Sequence, residues 1–170
     1  PFLGGSIGFG GFMRGYDSYD ISVTAKPNGE AEALEAILTE NERVRRYGFT
    51  PTELERVKTN LLVGLESSYK VKDRTPNESF IKSMQAHFLE QKPMVSFDYY
   101  YDFMTRLIPT ITVEDVNAKF AEGNVAHNRT VVVSGPSEGV THLTREEVLA
   151  VMDKVAQSEI APYQDEMVGG

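Results

Sequence analysis

Four helix-start signals constrain the fold of this chain more than any other feature of its sequence. Each pairs a threonine with a carboxylate three positions later, so that the two side chains can bond to each other's backbone N–H at a helix start. The pairs are Thr50 with Glu53, Thr75 with Glu78, Thr112 with Asp115, and Thr144 with Glu147. The spacing predicts that helices begin directly after these four threonines.

Apolar residues recur at intervals of three and four along most of the remaining sequence, which is the spacing of one helix face. Together with the start signals, this periodicity predicts six helices. The residues expected to face the core are Leu34, Ile37, Leu38, Val44, Leu54, Val57, Leu61, Leu62, Leu65, Phe80, Ile81, Met84, Phe88, Tyr100, Phe103, Met104, Leu107, Val148, Val151, Met152 and Val155.

Two further segments have the pattern of strands. In SYDISVTAKP the apolar and polar residues alternate, and the same period of two is found upstream at Ile7 and Phe9. With the turn residues between them, residues 5–26 are predicted to form a β-hairpin. The β-branched run from Thr130 to Val133 predicts a later strand. Six helices and about three strands predict an α+β fold, with helices packed on one face of an antiparallel sheet.

The length of 170 residues suits one domain with one core. We expect a single module over residues 1–160, followed by an acidic, glycine-ended linker or tail over residues 161–170. The chain opens at Pro1 rather than at methionine, and we expect it to be a segment of a longer polypeptide.

The stretch GGSIGFGGFMRG holds six glycines in twelve residues and raises the possibility of a phosphate-binding loop. A dinucleotide fingerprint needs G-x-G-x-x-G before a helix, but counting from Gly8 the last position is Met13, and a strand follows. The Gly-Lys-Ser/Thr of a P-loop is absent. We therefore interpret these glycines as allowing a strand to bend or another backbone to approach closely.

The net charge of −8 argues against nucleic acid or an anionic membrane as a partner, since both attract clusters of Lys and Arg. No apolar run reaches the roughly 20 residues needed to span a bilayer. The sequence contains no cysteine, which excludes disulfides and thiolate metal sites.

The three histidines do not form a recognisable metal motif. His87 and Glu90 are three positions apart, and no second histidine completes a zinc-binding helix. His127 and His142 lie in polar connections, where we expect surface roles. The sequence thus predicts no metal ligand in this segment.

The other candidates for catalysis have simpler explanations. The carboxylates at positions 53 and 55, 114 and 115, and 146 and 147 fall in first helical turns, where negative charge suits the helix dipole. Ser67, Ser68 and Ser134 have no histidine nearby and no nucleophile-elbow motif. In FDYYYDFM we expect one face to pack in the core, with Tyr99 and Tyr101 partly exposed. The residues themselves predict no catalytic group, and substrate-binding residues are not identified.

The run NERVRRYGFTPTELERVKTNLL resembles a stretch typical of the pitrilysin/insulinase family of zinc metallopeptidases, which includes the mitochondrial processing peptidases. YDSYDISVTAKP, LIPTITVEDVNAKF and NRTVVVSGP resemble other segments of the family's module in the same order, so the resemblance covers roughly residues 5–160. The positions that match the first run are Gly48, Thr50, Glu53, Leu54, Glu55, Arg56 and Lys58.

The resemblance implies an α+β sandwich used repeatedly in a clamshell around a peptide. The family's zinc motif, H-x-x-E-H, belongs to the N-terminal module and is not found in this chain. The chain therefore resembles the C-terminal part of a module that does not bind zinc. Asp20 falls where an assisting arginine of the C-terminal half would lie, which implies a module from the N-terminal half. The chain is therefore expected to be a non-catalytic, substrate-enclosing domain, inactive alone, of a zinc metallopeptidase whose zinc is bound elsewhere.

The alternative is an assembly or interaction domain of the same fold without peptidase activity. The expected partners are the remaining modules of the parent and, in the full protein, a peptide substrate. A second copy is also expected if the hairpin exposes an unpaired edge. The resemblance points to the bacterial cell envelope or periplasm.

Overall fold

The computed structural model describes residues 2–13, 15–125 and 127–164, except the side chains at positions 12 and 13. By its internal contacts the chain divides into two compact units. We name them the hairpin unit, Pro1–Phe49 with Asn117–Gly170, and the helical unit, Thr50–Val116. The expected single module over residues 1–160 stays a prediction, and residues 165–170 of the expected tail lie outside the described ranges.

A β-hairpin opens the hairpin unit, as the alternating pattern predicted. Strand β1, Phe2–Met13, pairs antiparallel with β2, Tyr16–Ala25. Apolar residues meet on one face, where Ile7 lies opposite Ile21 and Phe9 opposite Tyr19. Polar residues occupy the other face, where the hydroxyls of Ser6 and Ser22 are 2.9 Å apart. The period of two therefore separates a packing face from a solvent face.

Helix α1, Glu30–Tyr47, packs against the apolar face of the hairpin. The Tyr19 hydroxyl donates to Oδ1 of buried Asn41 at 2.5 Å, and burial raises the pKa of Tyr19 to about 12. Ile37 reaches the hairpin at Gly5, where an added Cβ would lie only 3.0 Å from the Ile37 Cδ1. A glycine at this position lets the helix approach the strand.

Helix α6, Arg145–Gln157, covers another side of α1. The buried apolar residues of the hairpin unit come mainly from these two helices and the segment after α6: Ala33, Ile37, Val148, Val155 and Ile160. Polar bonds join the same elements. The Arg46 guanidinium donates to the carbonyls of Ala156 at 3.0 Å and Ser158 at 2.7 Å, and the Lys154 ammonium lies 2.7 Å from Glu35.

Three of the four expected capping pairs form. Thr50 with Glu53 begins α2, Pro51–Lys70; Thr112 with Asp115 begins α5, Val113–Gly123; and Thr144 with Glu147 begins α6. The predicted box of Thr75 with Glu78 is wrong. The Thr75 hydroxyl instead donates to the Lys72 carbonyl at 2.7 Å, and α3, Asn77–Glu90, begins after Pro76 without a side-chain cap.

The helical unit contains α2, α3, α4 (Phe97–Leu107) and the first turn of α5, with two short 3₁₀ helices, Lys72–Arg74 and Ile108–Thr110. Ile108 is buried, and the rings of Tyr69 and Tyr101 stack with centroids 4.2 Å apart. The predicted core role is wrong for the exposed residues of this unit, which are Val57, Leu61, Phe80, Ile81, Met84, Phe88, Tyr100, Phe103 and Leu107. Helical spacing places apolar residues on one face of a helix, but that face is buried only where another element packs against it.

The strand predicted over Thr130–Val133 is also wrong. These residues are not assigned to a strand, and Val132 is 80% exposed. A β-branched run favours an extended backbone, yet a strand also requires a hydrogen-bonded neighbour. The described part of the chain forms one sheet, and that sheet contains only β1 and β2.

Candidate functional site

Among the described residues, His142 is the histidine whose ring makes the most hydrogen bonds. Its Nδ1 lies 2.6 Å from Oε1 of Glu30, and its Nε2 lies 2.8 Å from the carbonyl oxygen of Pro136. The second carboxylate oxygen of Glu30 accepts from the backbone N–H of Leu143 at 2.9 Å. Glu30 is the first residue of α1, and Leu143 lies just before α6, so one carboxylate holds the ring and the chain that enters α6.

Both ring nitrogens of His142 face acceptors, so both must carry a proton for the two hydrogen bonds to form. The bond to Glu30 raises the pKa of His142, and the bond to Pro136 adds to this effect. In turn, the backbone N–H of Leu143, followed by the imidazole, lowers the pKa of Glu30. An imidazolium has no lone pair for a metal ion. In this arrangement both ring nitrogens of His142 are engaged in hydrogen bonds that tie α1 to the loop before α6.

His87 and Glu90, the half-pair noted in the sequence, both engage Lys92. The His87 Nδ1 lies 2.7 Å from the Lys92 carbonyl oxygen, and the Glu90 carboxylate lies 2.5 Å from the Lys92 ammonium. These contacts lie at the end of α3, where the chain leaves the helix. His127 is exposed outside the helices and strands.

The carboxylates in first helical turns have the roles that the helix starts imply. Glu53, Asp115 and Glu147 each accept from the backbone N–H of the capping threonine. Glu55 lies 2.9 Å from the Lys58 ammonium, while Glu114 and Glu146 are exposed. The serines at positions 67, 68 and 134 are exposed as well.

The aromatic run of α4 belongs to a network that the sequence did not reveal. The Tyr69 hydroxyl donates to Oδ1 of Asp98 at 2.6 Å, and the Lys72 ammonium bonds the same oxygen. That ammonium lies 4.1 Å from the centroid of the Tyr69 ring. The hydrogen bond to Asp98 raises the pKa of Lys72, so the amine stays charged and anchors the start of α4 rather than acting as a base.

The hairpin unit contains a pocket of about 460 Å³ formed by the end of α1, the second half of α5 and Asn124 directly after it. We call it the α1/α5 pocket. Its lining consists of Val44, Arg45, Tyr47, Gly48, Asn117, Phe120, Ala121 and Asn124. The Asn117 Oδ1 accepts from the Phe49 N–H at 2.9 Å. The Asn124 Nδ2 is buried and has no hydrogen-bond partner among the described residues.

The α1/α5 pocket combines an apolar wall with two side-chain amides. Asn117 lies in α5, Asn124 directly follows Gly123, the last residue of α5, and Phe120 lies between them in the sequence. An amide donor that has no partner among the described residues suits a ligand that presents a hydrogen-bond acceptor. No sequence signal marks the pocket, because it depends on how α1 and α5 meet in space.

The described residues do not form a set of ligands that could hold a zinc ion. No group of three or more His, Asp or Glu side chains comes together within them. His142 is already bonded through both ring nitrogens. The expectation that zinc binds outside this segment stays a prediction. None of the helices in the described ranges is long and apolar enough to cross a membrane.

Comparison with solved structures shows that the chain shares its fold with parts of known proteases. The chain matches the structure of the periplasmic protease PqqL from Escherichia coli with a TM-score of 0.78 and 20% identity, covering 97% of this chain and 18% of that one. It matches the first half of the same protease with a TM-score of 0.75 and 18% identity, covering 96% of this chain and 36% of that one. The ferredoxin protease FusC, solved in complex with Arabidopsis ferredoxin, matches with a TM-score of 0.60 and 14% identity, over 96% of this chain and 18% of that one.

A sequence relative agrees with this result. The chain is 23% identical over 127 residues to a protein from Arabidopsis thaliana described as "Zinc protease PQQL-like", a match that covers 74% of this chain and 13% of the relative. No family model matches the chain. The α+β fold class and the resemblance to pitrilysin/insulinase peptidases are therefore confirmed, and the chain spans only part of the larger proteases it matches.

Proposed function

We propose that this chain is a non-catalytic, substrate-enclosing domain of a zinc-dependent endopeptidase that acts on peptides. The observation that carries the proposal is the similarity to the PqqL fold over 97% of the chain. The proteins it resembles include one described as a zinc protease. This makes a peptide hydrolase the best-supported class for the parent protein.

The role within that parent follows from the side chains. His142, which is held by Glu30 and Pro136, serves the structure, and the carboxylates at the helix starts serve as caps. The chemistry is therefore assigned to another module that binds zinc, and residues 1–160 act as one supporting module. The match to the first half of a protease supports a place in the N-terminal half of the parent. Because PqqL is described as periplasmic, we propose the same compartment for this parent.

The α1/α5 pocket gives the substrate-enclosing role a physical basis. A peptide backbone presents a carbonyl acceptor at every residue, and the buried Asn124 amide has no acceptor in the part of the chain that the structure describes. The apolar wall formed by Val44 and Phe120 suits a neighbouring side chain. We assign this pocket as a peptide contact that lies away from the cleavage chemistry.

Activity measurements test whether catalysis belongs to another module of the parent and not to this chain. The parent protein is expected to cleave fluorogenic peptides only when zinc is present, whereas the 170-residue chain alone is expected to be inactive and to give no heat of zinc binding by calorimetry. Tight one-to-one zinc binding by the chain, or cleavage by it, would overturn the proposal. A zinc-replete parent without activity would favour the alternative, an assembly domain of the same fold.

The pocket is tested separately in the parent. Asn124→Leu removes the amide donor at similar size, and Asn60→Leu makes the same change at an exposed position of α2. If the pocket holds peptide, Asn124→Leu raises KM severalfold with little change in kcat, because an interaction shared by the ground and transition states is lost. The Asn60→Leu control is expected to behave as wild type. Identical KM values for both variants would remove the pocket from the proposed function.

A further inference from the structure

The contacts of His142 form a latch between the loop of residues 135–141 and the first turn of α1. The imidazole joins the Glu30 carboxylate at 2.6 Å to the Pro136 carbonyl at 2.8 Å. Gly135 packs directly on the ring, because an added Cβ there would lie 2.7 Å from the His142 Cε1. Among the described residues, the hydrogen bonds that join the loop to α1 pass through this one side chain, which is about one-third exposed.

We propose that His142 is a pH-sensitive latch, which fastens the loop of residues 135–141 to α1 when the ring is charged and releases it when the ring is neutral. A neutral imidazole has one N–H and one lone pair. The remaining proton stays with the Glu30 carboxylate, since a hydrogen bond to a charged acceptor is the stronger one. The Nε2 lone pair then faces the Pro136 oxygen, and that contact becomes repulsive.

Given the groups around His142, the protonation of its own ring controls the latch near neutral pH. From α1 the ring meets Glu30, and from the loop it meets the uncharged Pro136 carbonyl and Gly135. On the segment that follows His142, Glu147 is bonded to Thr144. Glu30 is the charged group that acts on the pKa of His142 among the residues described.

The other polar bonds that join α1 to α6 and the segment after it do not involve the imidazole. They involve arginines, a tyrosine hydroxyl and a lysine–glutamate pair. These bonds are made by Arg43, Arg46, Tyr47, and Glu35 with Lys154. Deprotonation of His142 therefore frees the loop while the packing of α1 on α6 persists.

The direction of the pH effect follows from linkage. The latch raises the pKa of His142 above its ordinary value of 6.5. The stabilisation is therefore fully present below pH 6.5 and is lost as the pH rises through the raised pKa. Between these two pKa values the ratio of released to latched loop grows by up to about tenfold per pH unit.

Nuclear magnetic resonance on the 170-residue chain tests the latch in one titration from about pH 5.5 to about pH 8.5, which brackets the ordinary imidazole pKa. The ring shifts of His142 report its pKa, and ¹⁵N relaxation reports the order of the backbone over residues 135–141. We expect a pKa above 6.5 and order parameters that fall from rigid to flexible values with the same midpoint.

Two variants and a control separate the latch from general loosening. Glu30→Gln is expected to return the His142 pKa towards 6.5, and His142→Gln is expected to remove the pH dependence of the loop. His87→Gln changes a histidine of the helical unit and is expected to leave the transition unchanged. Different midpoints for the ring and the loop in the wild-type chain, or loop order that stays constant across the titration, would overturn the proposal even if a variant failed to fold.

Discussion

Substitution of Gly48 by alanine is expected to destabilise the hairpin unit strongly. Gly48 ends α1 with φ 73° and ψ −178°, a backbone conformation that is essentially restricted to glycine. An added Cβ would lie 2.6 Å from the Asn117 Nδ2 and 3.0 Å from its Cγ and Oδ1. The change therefore strains the backbone and pushes away a side chain that is itself hydrogen-bonded.

The expected magnitude is the sum of two effects. Forcing alanine into this conformation costs about 1–3 kcal/mol. Displacing Asn117 breaks its 2.9 Å bond from the half-buried Phe49 N–H, and leaving such a donor without a partner costs about 1 kcal/mol when water can partly replace it. We expect a loss of roughly 2–4 kcal/mol in the free energy of unfolding, which is a large share of the stability of an ordinary domain.

Urea unfolding followed by circular dichroism measures this loss. Gly8→Ala is the matched control, because no atom lies within 4 Å of an added Cβ there and its φ is not in the left-handed region. In the double variant Gly48→Ala with Asn117→Ala, the clash disappears but the backbone strain remains, so the combined loss should be smaller than the sum of the single losses. A Gly48→Ala midpoint equal to that of Gly8→Ala would refute the reasoning.

Three further outcomes are expected. Gly123→Ala brings a Cβ within 2.5 Å of the Phe9 ring, so overpacking should lower stability by about 1–3 kcal/mol; a neutral result in urea unfolding would contradict the close packing of α5 on the hairpin. Thr144→Ala removes a formed cap and should cost about 1 kcal/mol, whereas Thr75→Ala removes a single bond to a carbonyl and should cost less; the reverse order in thermal unfolding would count against the assignment of caps. The edge of β1 that faces away from β2 has no partner strand among the described residues and β1 contains no charged side chain, so sedimentation should show association that rises with concentration and weakens in Gly8→Lys; a monomer at every concentration would contradict this.

The features that sequence reasoning predicted correctly are mostly local. The capping pairs at Thr50, Thr112 and Thr144 involve groups three residues apart, so their formation depends on little beyond the chain itself. The hairpin follows from alternation and a short turn, and its inner face is the predicted one. Other local hydrogen bonds can compete with a capping pair, however, since the Thr75 hydroxyl donates to the Lys72 carbonyl instead of capping α3.

The candidate site could not be predicted in the same way. Glu30 is 112 residues from His142, and the carboxylate looks in sequence like an ordinary first-turn acid. Asn117 and Asn124 carry no motif, and their role arises only where α5 meets the end of α1. Likewise, Asp98 of the aromatic run gains its partners Tyr69 and Lys72 through folding.

The sequence by itself determined the helices, the hairpin, the α+β class and the resemblance to a peptidase module, because these depend on periodicity and on bonds between near neighbours. Only the tertiary structure decided which apolar faces are covered. Spacing placed Tyr100, Phe103 and Leu107 on one face of α4, and the same rule placed Val148 and Val155 on one face of α6. The second pair is buried because α1 packs against it, whereas the first set stays exposed. Burial, unlike periodicity, requires a second surface.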